Sequence, residues 1–452
     1  MEVEIISSQF IKPSFPTTHP KSHKLSILDQ YMPPAYIPML LFYSIDQNTQ
    51  AIVDIITQKR MKQLKESLSQ TLNLFYPFAG RIKDKVTIDC NDEGVHFTEA
   101  KVSCSLVEFF NQPNLSSLIY KLLPKQAVIG VSAEGYITMA QVTCFACGGI
   151  VIGTLISHMV ADGAGASFFL NSWGSNSHIN EFQHAFEFPN FDTPFPRNNA
   201  CPQDKNAMHL CCQTLKEGRL TTRRFLFDEE AISRLRGQGS SSTVQNPTRV
   251  EVVASLLCKC AAKASKAKSG LERPTLVIHS INMRRRASPN FPNSCMGNFV
   301  WLAMALMSAN DELPELVTKL RETVTSIDHD FVKRFQDEGG FVNFCESLKQ
   351  VMETTSRVAM GTGVNYLRFT SWCNFGLYDV DFGWGKPIWV SCFADSVDDL
   401  VILMDTPSRK GIEAWIYLNE DKMALLQQDN ELLMFATMDP NPLRLKDYVS
   451  HA

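Results

Sequence analysis

Residues 148–173 read GGIVIGTLISHMVADGAGASFFLNSW, a short apolar segment followed by a glycine-rich loop. The run Ile150–Ser157 is apolar and rich in β-branched residues, which is typical of a buried strand. His158 follows at its end, Asp162 comes four residues later, and glycines then open a helix over Ala166–Trp173. Strand and helix signals alternate in this way along the whole chain, which predicts a mixed α/β protein.

The position of His158 has two interpretations. It is suited to general-base chemistry, because the glycines beside it let a ligand approach the backbone. Imidazole is also the side chain whose ordinary pKa lies closest to neutral pH. The alternative is a core histidine that hydrogen-bonds to a neighbouring carbonyl. The residues alone leave both interpretations open.

The composition is that of a globular protein of about two domains. The chain has 452 residues, of which 44% are hydrophobic and 20% are charged, so it can bury a large core. Its formal net charge of −4 argues against a general nucleic-acid binder, which usually carries a basic excess. The longest apolar runs are too short to span a bilayer, which needs about 20 residues. We therefore expect neither a nucleic-acid partner nor a membrane partner.

The 13 cysteines indicate a reducing compartment. Their number is odd and many lie in core-like segments, which is best explained by reduced thiols in a cytoplasmic protein. The first residues also lack the apolar run of a secretory signal. Cys144 and Cys147 form a C-x-x-C pair, but neither a second pair nor spaced histidines complete a zinc site. Packing is the expected role of this pair, and no metal is predicted.

A segment of different composition divides the chain into two halves. Residues 175–214 are rich in Asn, Pro and Phe and show no steady period. Such a long loop is unusual inside one compact domain, so we interpret it as a crossover. The predicted N-terminal domain spans residues 1–174 and the predicted C-terminal domain spans residues 215–452.

Residue patterns predict three further local elements. Apolar residues at helical spacing predict a helix over Met61–Phe75. The β-rich runs Val86–Cys90 and Val95–Val102 flank a turn sequence and predict a hairpin. Asp421–Phe435 is expected to form one C-terminal helix.

Residues 381–385 read DFGWG and form the second distinctive motif. The triplet DFG occurs in protein kinases, but the glycine-rich loop, the strand lysine and the HRD loop of a kinase are absent from this sequence. The sequence also lacks the G-x-S-x-G of serine hydrolases and the H-E-x-x-H of zinc hydrolases. The residues of this motif therefore predict a rigid turn between two β segments.

Together the two motifs resemble those of a known family. His158–Gly163 matches H-x-x-x-D-G and Asp381–Gly385 matches D-F-G-W-G, in the order found in the plant BAHD acyl-CoA-dependent acyltransferases. Shorter segments that also match the family extend this resemblance over almost the whole chain. They are Ile11-Lys12-Pro13, Leu28-Asp29-Gln30, Ser67–Arg81, Asn282–Arg286 and Met296-Gly297-Asn298. The first of these segments and Ser371-Trp372-Cys373 further resemble the branch that contains vinorine synthase and related alkaloid and terpenoid acetyltransferases.

The resemblance implies a fold and a reaction. The fold would comprise two chloramphenicol-acetyltransferase-like domains, each a mixed β-sheet with flanking helices, with a channel between them. His158 would deprotonate a hydroxyl of an alkaloid or terpenoid, and the oxygen would attack the thioester of acyl-CoA, most simply acetyl-CoA. The expected protein is a monomer without a bound cofactor. A longer acyl-CoA, an amine acceptor and a non-catalytic binding relative remain alternatives.

The resemblance also implies roles for further residues. Asp162 would turn away from the histidine and pair with Arg284 or Arg286, although a triad-like orienting role is the alternative. Thr370 and Trp372 would hold the intermediate or the acceptor, unless Trp372 only packs. The remaining candidates are Asp381, Gly383 and Gly385, with a structural role, and Arg249 and Lys259, as contacts for the CoA phosphates.

Overall fold

The computed structural model describes residues 1–45, 50–125, 135–178, 187–197, 220–308, 310–336, 338–394 and 399–444. These residues form two large β-sheets, one small sheet and the helices that cover them. The predicted mixed α/β class, with two sheet-containing domains, is confirmed. No helix within these ranges is both long enough and apolar enough to cross a membrane.

The first sheet is mixed and has six strands. In spatial order the strands are β1 (Glu4–Ile11), β6 (Val95–Val102), β7 (Thr138–Phe145), β8 (Ile150–Ser157), β3 (Tyr36–Tyr43) and β13 (Trp389–Cys392). Neighbouring strands are antiparallel except for one parallel pair, β6 with β7.

The second sheet is also mixed and has seven strands, and a small third sheet has three. In spatial order the second sheet contains β11 (Val300–Met307), β10 (Thr275–Asn282), β12 (Asn365–Ser371), β14 (Leu400–Asp405), β15 (Ile412–Asn419), β9 (Leu220–Phe227) and β16 (Thr437–Met438). The third sheet contains β2 (Ser22–Lys24), β5 (Thr87–Asp89) and β4 (Arg81–Ile82).

Helices contribute to a separate apolar core at each large sheet. The described helices are α1 (Ile27–Tyr31), α2 (Gln50–Leu74), α3 (Leu106–Phe110), α4 (Gly163–Ser175), α5 (Glu229–Gly239), α6 (Arg249–Ser269), α7 (Leu313–Thr325), α8 (His329–Gln336), α9 (Gly340–Thr362), α10 (Glu420–Leu426) and α11 (Asn430–Leu433). The cores contain side chains of α2 and α4 at the first sheet and of α5, α6, α7 and α10 at the second.

The connection from β8 to α4 positions His158. Every residue of β8 is buried, because the strand lies between β7 and β3. Asp162 then caps α4, and its side chain accepts a hydrogen bond from the backbone nitrogen of Gly165 at 2.9 Å. The histidine is thus held between the end of a central strand and the start of a capped helix.

The DFGWG motif connects the second half of the chain to the first sheet. Asp381 Oδ1 accepts hydrogen bonds from the backbone nitrogens of Gly383 and Gly385, and both glycines have positive φ. The buried Phe382 ring packs edge-on against Trp173 of α4, with centroids 5.3 Å apart. Directly after the motif, β13 pairs with β3. The motif is therefore a turn between β segments that packs on the helix opened by Asp162.

The local predictions had mixed outcomes. The helix predicted over Met61–Phe75 is confirmed, although α2 begins earlier, at Gln50. The predicted hairpin is wrong, because β5 pairs with β2 and β4 whereas β6 pairs with β1 and β7. The single C-terminal helix is also wrong, because Asp429 caps a new helix and divides the segment into α10 and α11.

The domain boundaries stay a prediction. Much of the proposed crossover, residues 179–186 and 198–214, lies outside the described residues. Its first residues, 175–178, complete α4 and form a 3-10 turn. Residues 187–197 run without a helix or a long strand and form one bridge, between Asn190 and Cys295. Asn190 therefore connects to a residue of the second half of the chain.

Candidate active site

A cavity of about 500 Å³ lies beside the end of β8. Both large sheets contribute to its wall, the first through Ile37 and Leu155 and the second through Ile278 and Leu302. Four residues predicted from the sequence lie in the same wall, namely His158, Asp162, Thr370 and Trp372. Residues more than 200 positions apart in the sequence are thus brought together at one site.

Hydrogen bonds fix the orientation of His158. Its backbone nitrogen donates to the carbonyl of Ala35 at 2.8 Å, and its ring Nδ1 lies 3.0 Å from Oδ1 of Asn298. The amide nitrogen of Asn298 donates to the carbonyl oxygen of His158 at 2.8 Å and to Oδ1 of Asp29 at 2.9 Å. Since both of these partners are acceptors, the amide oxygen must face the ring. We therefore assign the proton of the neutral imidazole to Nδ1, which gives Nε2 a free lone pair.

Burial lowers the pKa of His158 below its ordinary value. A hydrogen bond with the backbone of His158 itself, the negative charges of Asp162 and Asp29 and the hydrogen bond to Asn298 oppose this effect without cancelling it. The imidazole is accordingly neutral at pH 7 and available as a base.

The lowered pKa of His158 predicts the pH dependence of any reaction in which this imidazole acts as the base, as the sequence predicts. As pH falls through that pKa, Nε2 gains a proton and loses its lone pair, so the rate should fall about tenfold per pH unit. The acid limb of kcat/KM should lie below about 6.5, the ordinary value for histidine. Reaction rates between pH 5 and 9 measure this. An acid limb above pH 7 would contradict the burial effect.

Asp162 is engaged with Arg284 rather than with the imidazole. One of its oxygens lies 2.6 Å from Nη1 of Arg284 and accepts from the backbone nitrogen of Phe299 at 3.0 Å. The other oxygen accepts from Gly165. Both charged side chains are almost completely buried. Burial alone would raise the pKa of Asp162, but the charge and hydrogen bond of Arg284 hold this pKa below its ordinary value.

Of the two candidate arginines, the structure therefore brings only Arg284 to Asp162. Arg286 donates instead to the backbone carbonyls of Val324 at 2.8 Å and Ile327 at 2.6 Å. It holds the end of α7 and lies apart from the cavity wall.

The two residues considered for the CoA phosphates are also placed apart from the cavity wall. Lys259 forms ion pairs with Glu312 at 2.8 Å and Glu431 at 3.1 Å. Arg249 forms an ion pair with Asp405 at 3.1 Å. Carboxylates already balance both charges, so the structure gives no support for either as a phosphate contact.

Thr370 and Trp372 stand at the end of β12, opposite the start of α4. The indole Nε1 of Trp372 would lie only 3.3 Å from a Cβ atom added to Gly163, so the glycine leaves room for the ring. Trp372 is 8% exposed and packs in the first core, yet it also lines the cavity. Trp372 can therefore pack in the core and contact a ligand in the cavity at the same time.

The C-x-x-C pair lies at the turn between β7 and β8. Cys144 is buried and Cys147 half-buried, and the sulfur of Cys147 accepts a hydrogen bond from the backbone of Leu106 at 3.4 Å. The ten described cysteines are free thiols.

Sequence reasoning gave no role to Asp29 and Asn298. Both lie in short segments that match the family. A loop asparagine, however, belongs to no periodic pattern that would indicate a contact with a histidine. Asn298 contacts His158, which lies 140 residues away in the chain, and Asp29 contacts Asn298, which lies 269 residues away.

Comparison with known proteins identifies the family of this chain. The family model described as "Transferase family" matches residues 1–433. The chain is 44% identical to an epi-neemfruitin B 7-O-acetyltransferase of Melia azedarach, with 98% of this chain and 100% of the relative covered. It is 45% identical to a limonoid 7-O-acetyltransferase of Citrus sinensis, with the same coverage.

Among solved structures, the crystal structure of vinorine synthase superposes with a TM-score of 0.77. The two sequences are 31% identical, and the match covers 96% of this chain and 98% of that one. The two-domain chloramphenicol-acetyltransferase-like fold implied by the sequence is thereby confirmed. With a family match over almost its whole length and relatives at this level of identity, the chain belongs to the BAHD family of acyl-CoA-dependent acyltransferases.

Proposed function

We propose that this enzyme transfers an acetyl group from acetyl-CoA to a hydroxyl of a neutral, polycyclic terpenoid, with His158 as the general base. The observation that carries the proposal is the assigned state of His158, a neutral ring with its proton on Nδ1 in the wall of a largely apolar cavity. The acetyl donor is supported by the acetyltransferase names of the relatives at 44% and 45% identity.

In the proposed mechanism, Nε2 of His158 accepts the proton of the acceptor hydroxyl as its oxygen attacks the thioester carbonyl. The C–O bond forms and a tetrahedral intermediate carries the negative charge. We assign Thr370 Oγ1 and Trp372 Nε1, which both line the cavity, as donors to this oxyanion. When the C–S bond breaks, the thiolate of CoA takes the proton from the imidazolium, which restores the neutral base.

The other residues of the two motifs hold the backbone segments around the site. Asp162 and Arg284 hold the segment that contacts His158, and Asp381 with its two glycines holds the turn against α4. These residues keep the reacting groups in position.

The charges of the cavity favour a neutral acceptor over a protonated alkaloid. Among the described residues that line it, Asp162 is the carboxylate, and its charge is already balanced by Arg284. An ammonium group would lose its hydration here without gaining a counter-ion, which is costly. Limonoids are neutral, oxygenated and polycyclic, so they fit this lining.

Incubation of the purified enzyme with acetyl-CoA and alcohols of both classes tests the proposal. One arm contains neutral limonoid alcohols and the other contains tertiary-amine alkaloid alcohols of similar size. Mass spectrometry should detect one added acetyl group mainly in the limonoid arm. Preference for the alkaloids would contradict the substrate assignment, and absence of product in every arm would favour a non-catalytic binding relative. Longer acyl-CoAs and amine acceptors in parallel reactions test the donor and the nucleophile.

We further propose that the enzyme works as a monomer in the cytoplasm. The free thiols of the described cysteines are typical of a reducing compartment. Size-exclusion chromatography with light scattering, and fractionation of the source tissue, test these two points.

A further inference from the structure

A short segment from the second half of the chain, Cys295–Phe299, reaches across to His158. We call it the strap. Two buried carboxylates from the first half bind it at successive residues. Asp29 accepts from the backbone nitrogen of Asn298 at 2.7 Å, and Asp162 accepts from that of Phe299 at 3.0 Å.

Arg284 holds the strap from the other side. Its guanidinium donates to the carbonyl of Cys295 at 2.8 Å and to that of Gly297 at 3.2 Å. Gly297 has a φ of 109°, and a Cβ atom there would lie 3.2 Å from Oδ1 of Asp29. The glycine therefore lets the backbone adopt a left-handed conformation and lets the carboxylate approach. The strap is fixed on both sides, with the side chain of Asn298 directed at the imidazole.

We propose that Asn298, held by Asp29, is a positioning residue that selects the base-competent tautomer of His158. The amide of Asn298 cannot rotate to present its nitrogen to the ring, because that nitrogen already donates to Asp29 and to the carbonyl of His158. Its oxygen accepts from Nδ1 and so disfavours the tautomer in which Nε2 carries the proton. This inference rests on the proposed role of His158.

An amide in this position has an advantage over a carboxylate. An ionised carboxylate in contact with Nδ1 would stabilise the imidazolium strongly and raise its pKa. A neutral amide fixes the tautomer with a smaller effect on charge. The carboxylates that act on the ring, Asp29 and Asp162, are instead engaged by hydrogen bonds from the strap, Ser26, Gly165 and Arg284. The amide of Asn298 thus stands between the carboxylate of Asp29 and the imidazole.

Hydrogen bonds hold both carboxylate oxygens of Asp29. One of its oxygens accepts from the backbone and the hydroxyl of Ser26, at 2.9 Å and 2.6 Å. The other accepts the two hydrogen bonds of Asn298. Asp29 is 3% exposed, so its loss would leave buried donors unpaired as well as free the amide.

A double-mutant cycle tests whether Asn298 acts through His158. We expect Asn298→Ala to lower kcat by about 10²-fold with KM changed little, as is found when the partner that orients a catalytic group is removed. In the His158→Ala background the same change should cost less than about twofold, because the ring it positions is absent. Asn171→Ala is the matched control, since this half-buried amide of α4 hydrogen-bonds to Ser167 and Gly376 apart from His158.

Asp29→Asn provides a second variant of nearly unchanged shape. It should lower kcat by about tenfold, and this loss should also vanish in the His158→Ala background. Wild-type kcat in Asn298→Ala would overturn the inference. So would an equal loss in both backgrounds, which would indicate a role in folding alone. Wild-type activity of His158→Ala would instead overturn the proposed base, and the inference with it, without any measurement on Asn298.

Discussion

Replacement of His158 by alanine should lower kcat by about 10²–10⁴-fold while the protein still folds. The loss is the usual contribution of a positioned general base, because the acceptor hydroxyl is a poor nucleophile until its proton is removed. Folding should survive, because the side chain lies in the cavity wall and alanine keeps the backbone hydrogen bond to Ala35.

The measurement is the rate of product formation by mass spectrometry at saturating acetyl-CoA and acceptor. His329→Ala is the matched control, since this histidine lies exposed at the start of α8, and it should keep the wild-type rate. Unfolding curves of both variants show whether the fold is intact. If folded His158→Ala turns over at the wild-type rate, the base is a different group.

Replacement of Asp162 by alanine should lower the free energy of unfolding by about 3–5 kcal/mol. The change leaves the guanidinium of Arg284 buried without its counter-ion, and breaking a buried ion pair from one side typically costs this much. It also removes the cap of α4 and the acceptor for the strap.

Urea unfolding of three variants checks this prediction. Asp379→Ala serves as the control, because its ion pairs with Lys386 and Arg409 are exposed and should contribute no more than about 1 kcal/mol. The double variant Asp162→Ala with Arg284→Leu should be more stable than Asp162→Ala alone, since the unpaired charge is gone. Wild-type stability of Asp162→Ala together with a large loss of kcat would contradict the structural role and restore a triad-like one.

Much of the site is predictable from the sequence because its central elements are local. The apolar run Ile150–Ser157, the capping aspartate and the glycines that open α4 specify the strand, loop and helix that position His158, and all three are present. The turn at residues 381–385 is local in the same way, since the side chain of Asp381 binds backbone nitrogens two and four residues later.

The choice between arginines required the three-dimensional structure. Arg284 and Arg286 lie in one short turn, and only the direction of that turn decides which side chain is buried against Asp162. The wrong hairpin has a similar cause. The runs around Val86–Cys90 and Val95–Val102 have suitable strand patterns, but their partners are distant strands that a local pattern cannot identify.

The role of Asn298 is the clearest case of information that lies outside the local sequence. Its backbone and side chain are held by Asp29, and its amide oxygen is directed at a ring 140 residues earlier in the chain. Nothing within a few residues of Met296-Gly297-Asn298 indicates these partners.

Nitrogen NMR of the enzyme labelled with ¹⁵N-histidine tests the central claim most directly, with the signal of His158 assigned by its loss in His158→Gln. At pH 7 we expect Nδ1 to give the resonance of a protonated ring nitrogen and Nε2 that of an unprotonated one. A protonated Nε2, either in the opposite tautomer or in an imidazolium, would contradict a neutral base whose lone pair is available to the acceptor.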